Sequence, residues 1–412
     1  MRAGLKFYSR LEDLNEFKFD FSLERVRSAL ILAGSPQDAF DCVHIAGSNG
    51  KGSTAWYLSN IFMMHGLKTG TYTSPHLIDV KERIAINGKN VKEKLFISEG
   101  LKLFSVIAKN RIKLTYFEFL TVLAFMIFKA EKVRIAVIEA GLGGRYDATN
   151  VGYKNKLLSV ITSISLEHTD YLGKTRMLIL KEKEEIAGKG MLVVNVDGAL
   201  LKNHLKKRFV NRVVFADELY PVKGMGHRLG RIVLDFVSIV LDTRMVEPVQ
   251  AKNLATVLSC LKVMESSGYS FDPDKVKKAV LKTKVLGRMS WNAKGYFLSV
   301  AHNPGAFKEV LKTLALSYPC KRTVFVFSLL KDKDAGAIFK EASHFKNISF
   351  VLTSIDNPRA ISIAKMKEYV VKYGIRFKIE TDNNSALKLA RKLAGEGIVV
   401  VGGSFYLISK FV

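Results

Sequence analysis

Short apolar runs alternate along the chain with longer stretches in which apolar residues recur at helical spacing. This alternation predicts strands joined by crossover helices, and therefore a mainly parallel sheet with helices on both faces. In the first part of the chain the predicted strands are Cys42–Ala46, Thr69–Tyr72, Ile135–Glu139, Leu158–Ser163 and Met191–Val196. The predicted helices between them include Thr115–Lys129 and Thr175–Ala187.

The pattern changes between Val210 and Met245, where short alternating runs are separated by glycines. This change predicts an antiparallel addition of hairpins, formed by Val213–Ala216, Arg231–Phe236 and Ile239–Asp242. Two helices are predicted to follow, at Ala251–Ser266 and Asp272–Thr283. The α/β alternation restarts at Gly295, with predicted strands at Tyr296–Val300, Thr323–Phe327, Ile348–Thr353, Arg376–Glu380 and Gly397–Val401 and a last helix at Ser404–Lys410.

The length of 412 residues exceeds what one hydrophobic core usually serves, so two domains are expected. We place their boundary near Trp291, which gives a first domain of residues 1–290 and a second of residues 291–412. Hydrophobic residues make up 48% of the chain and charged residues 25%, a composition typical of globular proteins.

Targeting and membrane segments are not indicated by the sequence. The N-terminus interleaves charged with apolar residues, unlike a signal peptide. Apolar runs such as Thr121 to Phe128 are too short to span a bilayer. Cys42, Cys260 and Cys320 lack the spacing of a zinc or redox site, so we expect reduced, packed thiols. The sequence therefore predicts a cytoplasmic protein without a membrane partner.

The net charge of +26 has three interpretations. It indicates a lysine-rich solvated surface, an attraction for small polyanions, or nucleic-acid binding. The lysines are scattered over predicted helical faces, with only short clusters such as Lys202 to Arg208, which favours the first interpretation over the other two.

A glycine-rich turn between a predicted strand and a predicted helix is the strongest chemical signal. In such a turn the backbone N–H groups and the helix N-terminus converge on an anion. Lys51 adds a positive charge for phosphates, and Ser53 or Thr54 adds a hydroxyl for Mg²⁺. The turn is shorter than the ordinary phosphate loop, with Ile45 and Gly52 at two of its required positions. It predicts binding of ATP or a related nucleotide through Gly47, Ser48, Asn49, Gly50, Lys51, Gly52, Ser53 and Thr54.

Three more predicted strands end in polar residues. Tyr72 to Leu77 offers hydroxyls and an imidazole, and Glu139 ends a strand as a candidate Mg²⁺ ligand. His168 follows another strand among acidic residues. Each feature alone is also typical of a solvated strand end. Because parallel strands present their carboxyl ends at one edge of a sheet, the four together favour a metal–nucleotide site.

These motifs, taken in order, resemble those of a known family. The motifs are GSNGKGST, YTSPHL with KERIAING, YFEFLT, VIEAGLGGRYDATNV, EHTDYLG, AHNP (301–304), LLKDKD (329–334) and GSFYL (403–407). They resemble folylpolyglutamate synthase and dihydrofolate synthase, of the Mur ligase superfamily, from Tyr8 to the C-terminus. We therefore expect an α/β protein. Its N-terminal part is a phosphate-loop-containing, mostly parallel sheet with helices on both faces and an antiparallel hairpin addition. A smaller C-terminal Rossmann-like α/β domain follows.

The resemblance implies an ATP-dependent ligase. Its reaction adds L-glutamate to the γ-carboxylate of tetrahydrofolate polyglutamates through an acyl phosphate, with dihydropteroate left open as a second acceptor. It implies Lys51, Lys183 and His302 as catalytic residues, and two Mg²⁺ ions with the ligands Ser53, Ser74, Glu139 and His168. Judged from the residues alone, Lys183 lies on a solvated helix face. The resemblance makes a carbamylated Lys183 an equal alternative.

The resemblance also assigns residues to the three substrates. The nucleotide-binding residues outside the loop would be Gln250, Asn253, Arg288 and His302, and His302 and Ser404 would approach glutamate. The second domain would close over the nucleotide. The folate would contact Ser74, Pro75, His76 and Phe117; for Phe119 a place in the helix core is favoured. The chain departs from the family pattern at Val249, Ser290, Ser299 and Val300.

Other functions stay open. The nearest is a Mur-type ligase acting on a nucleotide-linked peptide, which the KERIAING and LLKDKD motifs disfavour. A relative that only binds folate and nucleotide is another. A basic ATPase acting on nucleic acid belongs to a different class, and no aromatic–basic RNA motif supports it. We therefore expect small-molecule partners (folate, L-glutamate and ATP), no nucleic acid and, from the resemblance, a monomer.

Overall fold

The structure is a computed structural model that describes residues 2–14, 22–228 and 231–412. The chain forms two compact units. The first comprises residues 1–224, 235–241 and 251–282, and the second comprises residues 225–234, 242–250 and 283–412.

An eight-stranded sheet organises the first unit. Its strands are β1 (Asp41–Ala46), β2 (Thr69–Tyr72), β3 (Ile84–Ile86), β4 (Lys89–Asn90), β5 (Ile135–Glu139), β6 (Lys156–Ile161), β7 (Met191–Val194) and β8 (Val213–Phe215). Their spatial order is β4-β3-β2-β5-β1-β6-β7-β8. All neighbours run parallel except the pairs β2–β3 and β3–β4. The strands β1 and β5 are therefore central, which places the turns after them at the middle of one sheet edge.

Helices cover this sheet. They are α1 (Arg2–Glu12), α2 (Glu24–Leu32), α3 (Lys51–Met64), α4 (Glu93–Lys109), α5 (Tyr116–Ala130), α6 (Thr169–Leu172), α7 (Arg176–Lys183), α8 (Ala199–Arg208), α9 (Ala216–Leu219), α10 (Gln250–Glu265) and α11 (Pro273–Lys282), with 3₁₀ turns at Pro36–Asp38, Val80–Arg83 and Glu184–Ala187. The start of α5 shows how the sequence sets a boundary. Thr115 accepts the Glu118 N–H, and the Glu118 carboxylate accepts the Thr115 N–H, a capping box.

The predicted parallel strands of the first unit are confirmed, with ends that differ by one or two residues. Three other details were wrong or missed. Val213–Phe215 extends the large sheet in parallel with β7 instead of forming a hairpin, because α8 supplies a crossover connection. The predicted helix Thr175–Ala187 changes to 3₁₀ geometry after Lys183. The short antiparallel strands β3 and β4 carry too few residues for a periodic signal.

A small three-stranded sheet contains β9 (Val222–Arg228), β10 (Arg231–Phe236) and β11 (Val240–Thr243) in the order β11-β10-β9. The three-residue connection between β10 and β11 is typical of an antiparallel hairpin, as predicted for this part of the chain.

The second unit has a six-stranded sheet of order β12-β13-β17-β14-β15-β16. Its strands are β12 (Ser290–Asn292), β13 (Tyr296–Ser299), β14 (Thr323–Phe327), β15 (Ile348–Leu352), β16 (Arg376–Ile379) and β17 (Ile398–Gly402). Its helices are α12 (Pro304–Ser317), α13 (Ala335–Ser343), α14 (Ile363–Lys372), α15 (Asn383–Ala394) and α16 (Phe405–Ile408). Only β12 pairs antiparallel. Phe307, Phe325, Phe327, Phe339 and Phe350 pack together in its core.

The cysteines are free thiols. Cys42 and Cys260 are buried as expected, but the expectation of a packed thiol was wrong for Cys320. Cys320 is exposed because it lies in the turn between α12 and β14, where its φ is 63°.

Candidate functional site

The phosphate loop connects the central strand β1 to helix α3 and is held by the segment after β6. The Ser48 N–H donates to the Ser163 carbonyl over 2.8 Å, and the Thr162 hydroxyl donates to the Asn49 carbonyl over 2.7 Å. Gly50, with φ 91°, turns the chain into α3. The first N–H groups of α3 have no carbonyl within the helix to bind. The loop is thus a fixed cradle that ends in a helix N-terminus, which suits a phosphate group.

Two lysines meet at the carbonyl of Gly47. The Lys51 Nζ lies 2.8 Å from this oxygen, and the Lys183 Nζ lies 3.2 Å from it. Glu167 lies 2.9 Å from the Lys183 Nζ and balances its charge, so the excess positive charge beside the loop is that of Lys51. An anion bound there gains directly from Lys51.

Two of the loop glycines, Gly47 and Gly50, leave no room for a side chain. At Gly47 a Cβ atom would lie 2.1 Å from the Thr162 hydroxyl and 3.0 Å from the Thr162 backbone nitrogen. We therefore expect Gly47→Ala to raise the KM for ATP at least about tenfold, since the loop must move. Gly66→Ala is the matched control, because Gly66 also has positive φ but open space around it. It should lower stability by about 1 kcal/mol without changing the KM. Equal KM values for the two variants would contradict this.

Glu139 ends β5 at the same edge as the loop. Its Oε2 accepts the Ser74 N–H over 3.3 Å and lies 3.6 Å from the position of a Cβ on Gly52. Ser53, on the first turn of α3, is 1% exposed. The Thr54 hydroxyl is buried and has no hydrogen-bond partner among the described residues. Carboxylate and hydroxyl oxygens are the donors that Mg²⁺ prefers, so this group of residues fits a hard divalent cation.

His168, the fourth expected metal ligand, is exposed and precedes α6 with φ 46°. Within residues 2–14, 22–228 and 231–412, no group of three or more His, Cys, Asp or Glu side chains is arranged to hold a metal ion. A cation at this edge would therefore depend on hydroxyl oxygens and on oxygens of the bound nucleotide, as Mg²⁺ sites for phosphates do.

Lys183 is buried, so its interpretation as part of a solvated helix face was wrong. Its side chain is 2% exposed, and its Nζ lies 2.9 Å from the Glu167 Oε1. The cause is the glycine turn after β5: a Cβ on Gly144 would lie 2.8 Å from the Lys183 Cα, so the turn packs against the last turn of α7. Burial lowers the pKa of Lys183, and Glu167 opposes this. Burial raises the pKa of Glu167, but Lys183 and then Lys51 outweigh it and bring it to about 2.

Glu184, the residue after Lys183, is a buried charged residue whose burial the sequence did not predict. The Glu184 side chain is fully buried, and helix α8 supplies its partners: His204 Nε2 and Arg208 Nη1 each lie 3.0 Å from its Oε1. A buried carboxylate needs such pairing. These contacts fix the end of α7, and with it Lys183.

The expected folate-contact residues surround the loop between β2 and β3. The Ser74–Pro75 peptide is cis. Phe117 is half-buried and stacks on Tyr72, with ring centroids 6.0 Å apart. Phe119 is fully buried against Phe104, which confirms its place in the core. Of Phe117 and Phe119, Phe117 is therefore the side chain that the aromatic ring of a substrate could reach.

His76 lies in the same loop. Its Nδ1 is 2.9 Å from the Arg83 Nε. Burial and then the Arg83 charge lower the pKa of His76 to about 4, against opposing effects of Glu82 and Asp79. The imidazole is therefore neutral at physiological pH.

In the second unit, Ser290 and Val300, two of the residues that differ from the family pattern, form hydrogen bonds in the turn that carries Arg288. The Ser290 hydroxyl accepts the Gly287 N–H over 3.0 Å, and the Val300 N–H donates to the Gly287 carbonyl over 2.8 Å. The His302 Nδ1 lies 2.8 Å from the Val300 carbonyl, which can only accept, so Nδ1 carries the proton. When the imidazole is neutral, its lone pair is therefore on Nε2.

Two other expected contact residues of this unit are buried. The Ser404 hydroxyl caps α16 by accepting the Tyr406 N–H. Gln250 donates from Nε2 to the Glu247 Oε2 over 3.1 Å. Glu247, which the sequence did not single out, is 5% exposed, and burial raises its pKa while Arg288 opposes this. The buried carboxylate of Glu247 thus balances the charge of Arg288, although Ser290 stands where the family pattern has an acidic residue.

Asn253 belongs to the first unit and borders the phosphate loop. It is 3% exposed, and a Cβ on Gly50 would lie 2.4 Å from its Oδ1. Asn253 therefore packs directly on the turn that leads into α3, as expected of a nucleotide-site residue.

Among the described residues there is no helix with the length and apolar character needed to span a bilayer.

Comparison with known proteins agrees with this geometry. The Mur ligase middle domain matches residues 45–219, and the Mur ligase glutamate ligase domain matches residues 287–405. A probable dihydrofolate synthetase of Schizosaccharomyces pombe is 31% identical over 404 residues, covering 94% of this chain and 96% of the relative.

Two solved structures are similar over nearly the whole chain. Mycobacterium tuberculosis folylpolyglutamate synthase, complexed with ADP, has a TM-score of 0.89 and 28% identity, covering 100% of this chain and 97% of its own. A bifunctional folylpolyglutamate synthase/dihydrofolate synthase from Yersinia pestis, complexed with AMPPNP and Mn ion, has a TM-score of 0.85 and 26% identity, covering 99% and 97%. The chain belongs to the folylpolyglutamate synthase/dihydrofolate synthase family of Mur ligases.

Proposed function

We propose that the chain catalyses the ATP-dependent addition of L-glutamate to the γ-carboxylate of tetrahydrofolate and its polyglutamates. The observation that carries the proposal is the phosphate loop at the central sheet edge, with the Lys51 ammonium group on the Gly47 carbonyl and the buried Lys183 Nζ 3.2 Å from the same oxygen. Beside this loop, Glu139 and Ser74 supply oxygen ligands and His76 and Phe117 offer contacts to an aromatic substrate. Family membership supports the same activity.

The reaction needs two displacements. In the first, an oxygen of the folate carboxylate attacks the γ-phosphorus and ADP leaves, giving an acyl phosphate. In the second, the amine of glutamate attacks the acyl carbon, the C–N bond forms and phosphate leaves. Lys51 and the N-terminus of α3 stabilise the negative charge on the transferred phosphoryl group. In its neutral form His302 has its lone pair on Nε2, which is suited to accept the proton that the amine releases.

Ser53, Ser74 and Glu139 would hold a divalent cation, with His168 as a further ligand. Such a cation neutralises the phosphate oxygens during transfer. We propose Mg²⁺ at two sites and a carbamylated Lys183 near the second. The lowered pKa of buried Lys183 supports this modification, because carbamylation requires the neutral amine. We assign Gln250, Asn253 and Arg288 to the nucleotide and Ser404 to glutamate.

One assay separates the candidate functions. ATP turnover and amide product would be measured with tetrahydrofolate plus glutamate, with dihydropteroate plus glutamate, and with single-stranded nucleic acid. We expect ADP and amide in equal amounts with tetrahydrofolate. Product with dihydropteroate as well would establish a bifunctional enzyme. Turnover only with nucleic acid would end the ligase proposal. The monomeric state and the cytoplasmic location stay predictions.

The net charge of +26 gives a testable consequence for substrate capture. A folate gains negative charge with every glutamate added, so a basic surface should attract longer chains more strongly. We expect kcat/KM for a polyglutamylated folate to fall about two- to tenfold when ionic strength rises from about 0.05 to about 0.5 M. The monoglutamate should show a smaller decrease. Values of kcat/KM that do not depend on salt would contradict this role of the surface charge.

A further inference from the structure

The segment after the cis peptide is held in one conformation by its own side chains. The Glu82 carboxylate accepts the N–H groups of Leu77, Ile78 and Asp79 over 2.8, 3.0 and 2.9 Å. The Thr73 N–H donates to the Arg83 carbonyl over 3.0 Å and closes the base of the loop. Three amides on one carboxylate order this loop before any ligand binds.

Arg83 is fixed on two sides. Its guanidinium carbon lies 5.3 Å from the centroid of the Tyr116 ring, a cation–π contact, and its Nε lies 2.9 Å from the His76 Nδ1. The Arg83 side chain is buried, with the residue 5% exposed. These contacts and the burial restrict the guanidinium to an orientation in which it faces the imidazole.

The contact determines the tautomer of His76. A guanidinium has only donors, so the His76 Nδ1 must accept with its lone pair. The ring proton then resides on Nε2, and neither nitrogen has a free lone pair. In this state His76 cannot bind a metal ion or remove a proton. It can only donate a hydrogen bond, from Nε2–H.

We propose that Arg83 is a positioning residue that keeps His76 as an Nε2–H donor to an acceptor oxygen or nitrogen of the bound folate. The inference deepens the proposed function, on which its choice of ligand depends. It gives the Lys81-Glu82-Arg83 segment a role: Glu82 shapes the loop and Arg83 sets the tautomer of its histidine. Donation to a carbonyl, carboxylate or ring nitrogen selects acceptor-rich substrates such as a pterin-linked acyl chain.

The tautomer can be measured in the free protein. The chain has eight histidines, so long-range ¹H–¹⁵N spectra of ¹⁵N-histidine-labelled protein are tractable, and His76→Gln identifies the His76 signals. We expect an unprotonated Nδ1 and a protonated Nε2 at neutral pH. In Arg83→Met, which keeps the apolar stem, the two tautomers should mix. A protonated Nδ1 in the unaltered protein would overturn the proposal, whether or not any variant folds.

The role of His76 in folate binding is tested by steady-state kinetics of two variants in which an amide side chain, asparagine or glutamine, replaces the imidazole. A glutamine amide nitrogen reaches the place of His Nε2, whereas that of asparagine reaches the place of Nδ1. We expect His76→Asn and Arg83→Met to raise the KM for folate about tenfold, the loss of one hydrogen bond, with the KM for ATP changed less than about twofold. His76→Gln should retain a KM within about threefold. Arg27→Gln, an exposed helix arginine, is the control.

The outcomes distinguish this inference from the proposed function. An unaltered enzyme that turns over no folate overturns the proposed function and the choice of ligand, while the spectra still decide the tautomer. An unaltered enzyme that uses folate, together with an Arg83→Met variant of unchanged folate KM, overturns the inference alone. Equal KM values for His76→Asn and His76→Gln would show that donation from Nε2 is not what the folate requires.

Discussion

Lys51→Ala should lower kcat for folate-dependent ATP turnover about 10²–10³-fold while leaving the thermal midpoint of unfolding nearly unchanged. The Lys51 Nζ contacts the Gly47 and Ser48 carbonyls across the loop, so its charge lies where the phosphoryl group would develop negative charge. The loop itself is held by Thr162 and Ser163, which the substitution does not touch. Initial rates of ADP release and a thermal scan provide the two measurements.

The control for Lys51 is Lys109→Ala, which removes an exposed lysine at the end of α4. It should keep full activity, so a general effect of reduced surface charge would be recognised. A folded Lys51→Ala enzyme with more than about a tenth of normal kcat would show that the loop does not act as described.

Lys183→Met should destabilise the first unit by about 3–5 kcal/mol and abolish amide synthesis. The substitution leaves the Glu167 carboxylate without its partner at 2.9 Å, in a place where its side chain is 12% exposed. Removing the second charge as well, in Lys183→Met/Glu167→Gln, should recover at least about half of the lost stability but none of the activity. Urea unfolding followed by Trp56 fluorescence, in a Trp291→Phe background, measures the effect in the first unit.

The exposed pair Lys277–Asp274 on α11 is the control for this cycle. Its side chains are 48% and 76% exposed, so Lys277→Met should cost less than about 1 kcal/mol. If Lys183→Met were as mild, the buried pair would not stabilise the site. If the double variant regained activity, Lys183 would have no catalytic role.

The sequence predicted the features that arise from local patterns. The runs ending at Ala46 and Glu139 are apolar except for His44 and Glu139 itself, and they became the central strands β1 and β5, so the two functional turns could be assigned to one edge. The burial of Lys183 could not be predicted in this way. Its sequence neighbours Lys181, Glu182, Glu184 and Glu185 are all charged, and only the long-range packing of Gly144 and the partner Glu167 make the lysine an internal group.

The same distinction explains the other differences. Val213–Phe215 is as short as a hairpin strand, and its parallel pairing depends on where α8 returns the chain. Glu184 resembles a surface residue until His204 and Arg208 from α8 are placed beside it. Side-chain partners distant in the sequence, unlike hydrophobic periodicity, leave no local signal that one chain reveals. Glu247 belongs to this class as well, because the charge that opposes the effect of its burial is that of Arg288, which is distant in the sequence.

In the proposed reaction, ATP activates the folate carboxylate as an acyl phosphate before glutamate attacks. The most direct test uses tetrahydrofolate labelled with ¹⁸O in its γ-carboxylate, with mass analysis of the phosphate released during turnover. Each phosphate formed with amide should acquire one oxygen from the carboxylate, because the C–O bond breaks when the amine attacks. Unlabelled phosphate from an enzyme that turns over ATP would contradict it, since the phosphoryl group would then have gone to water.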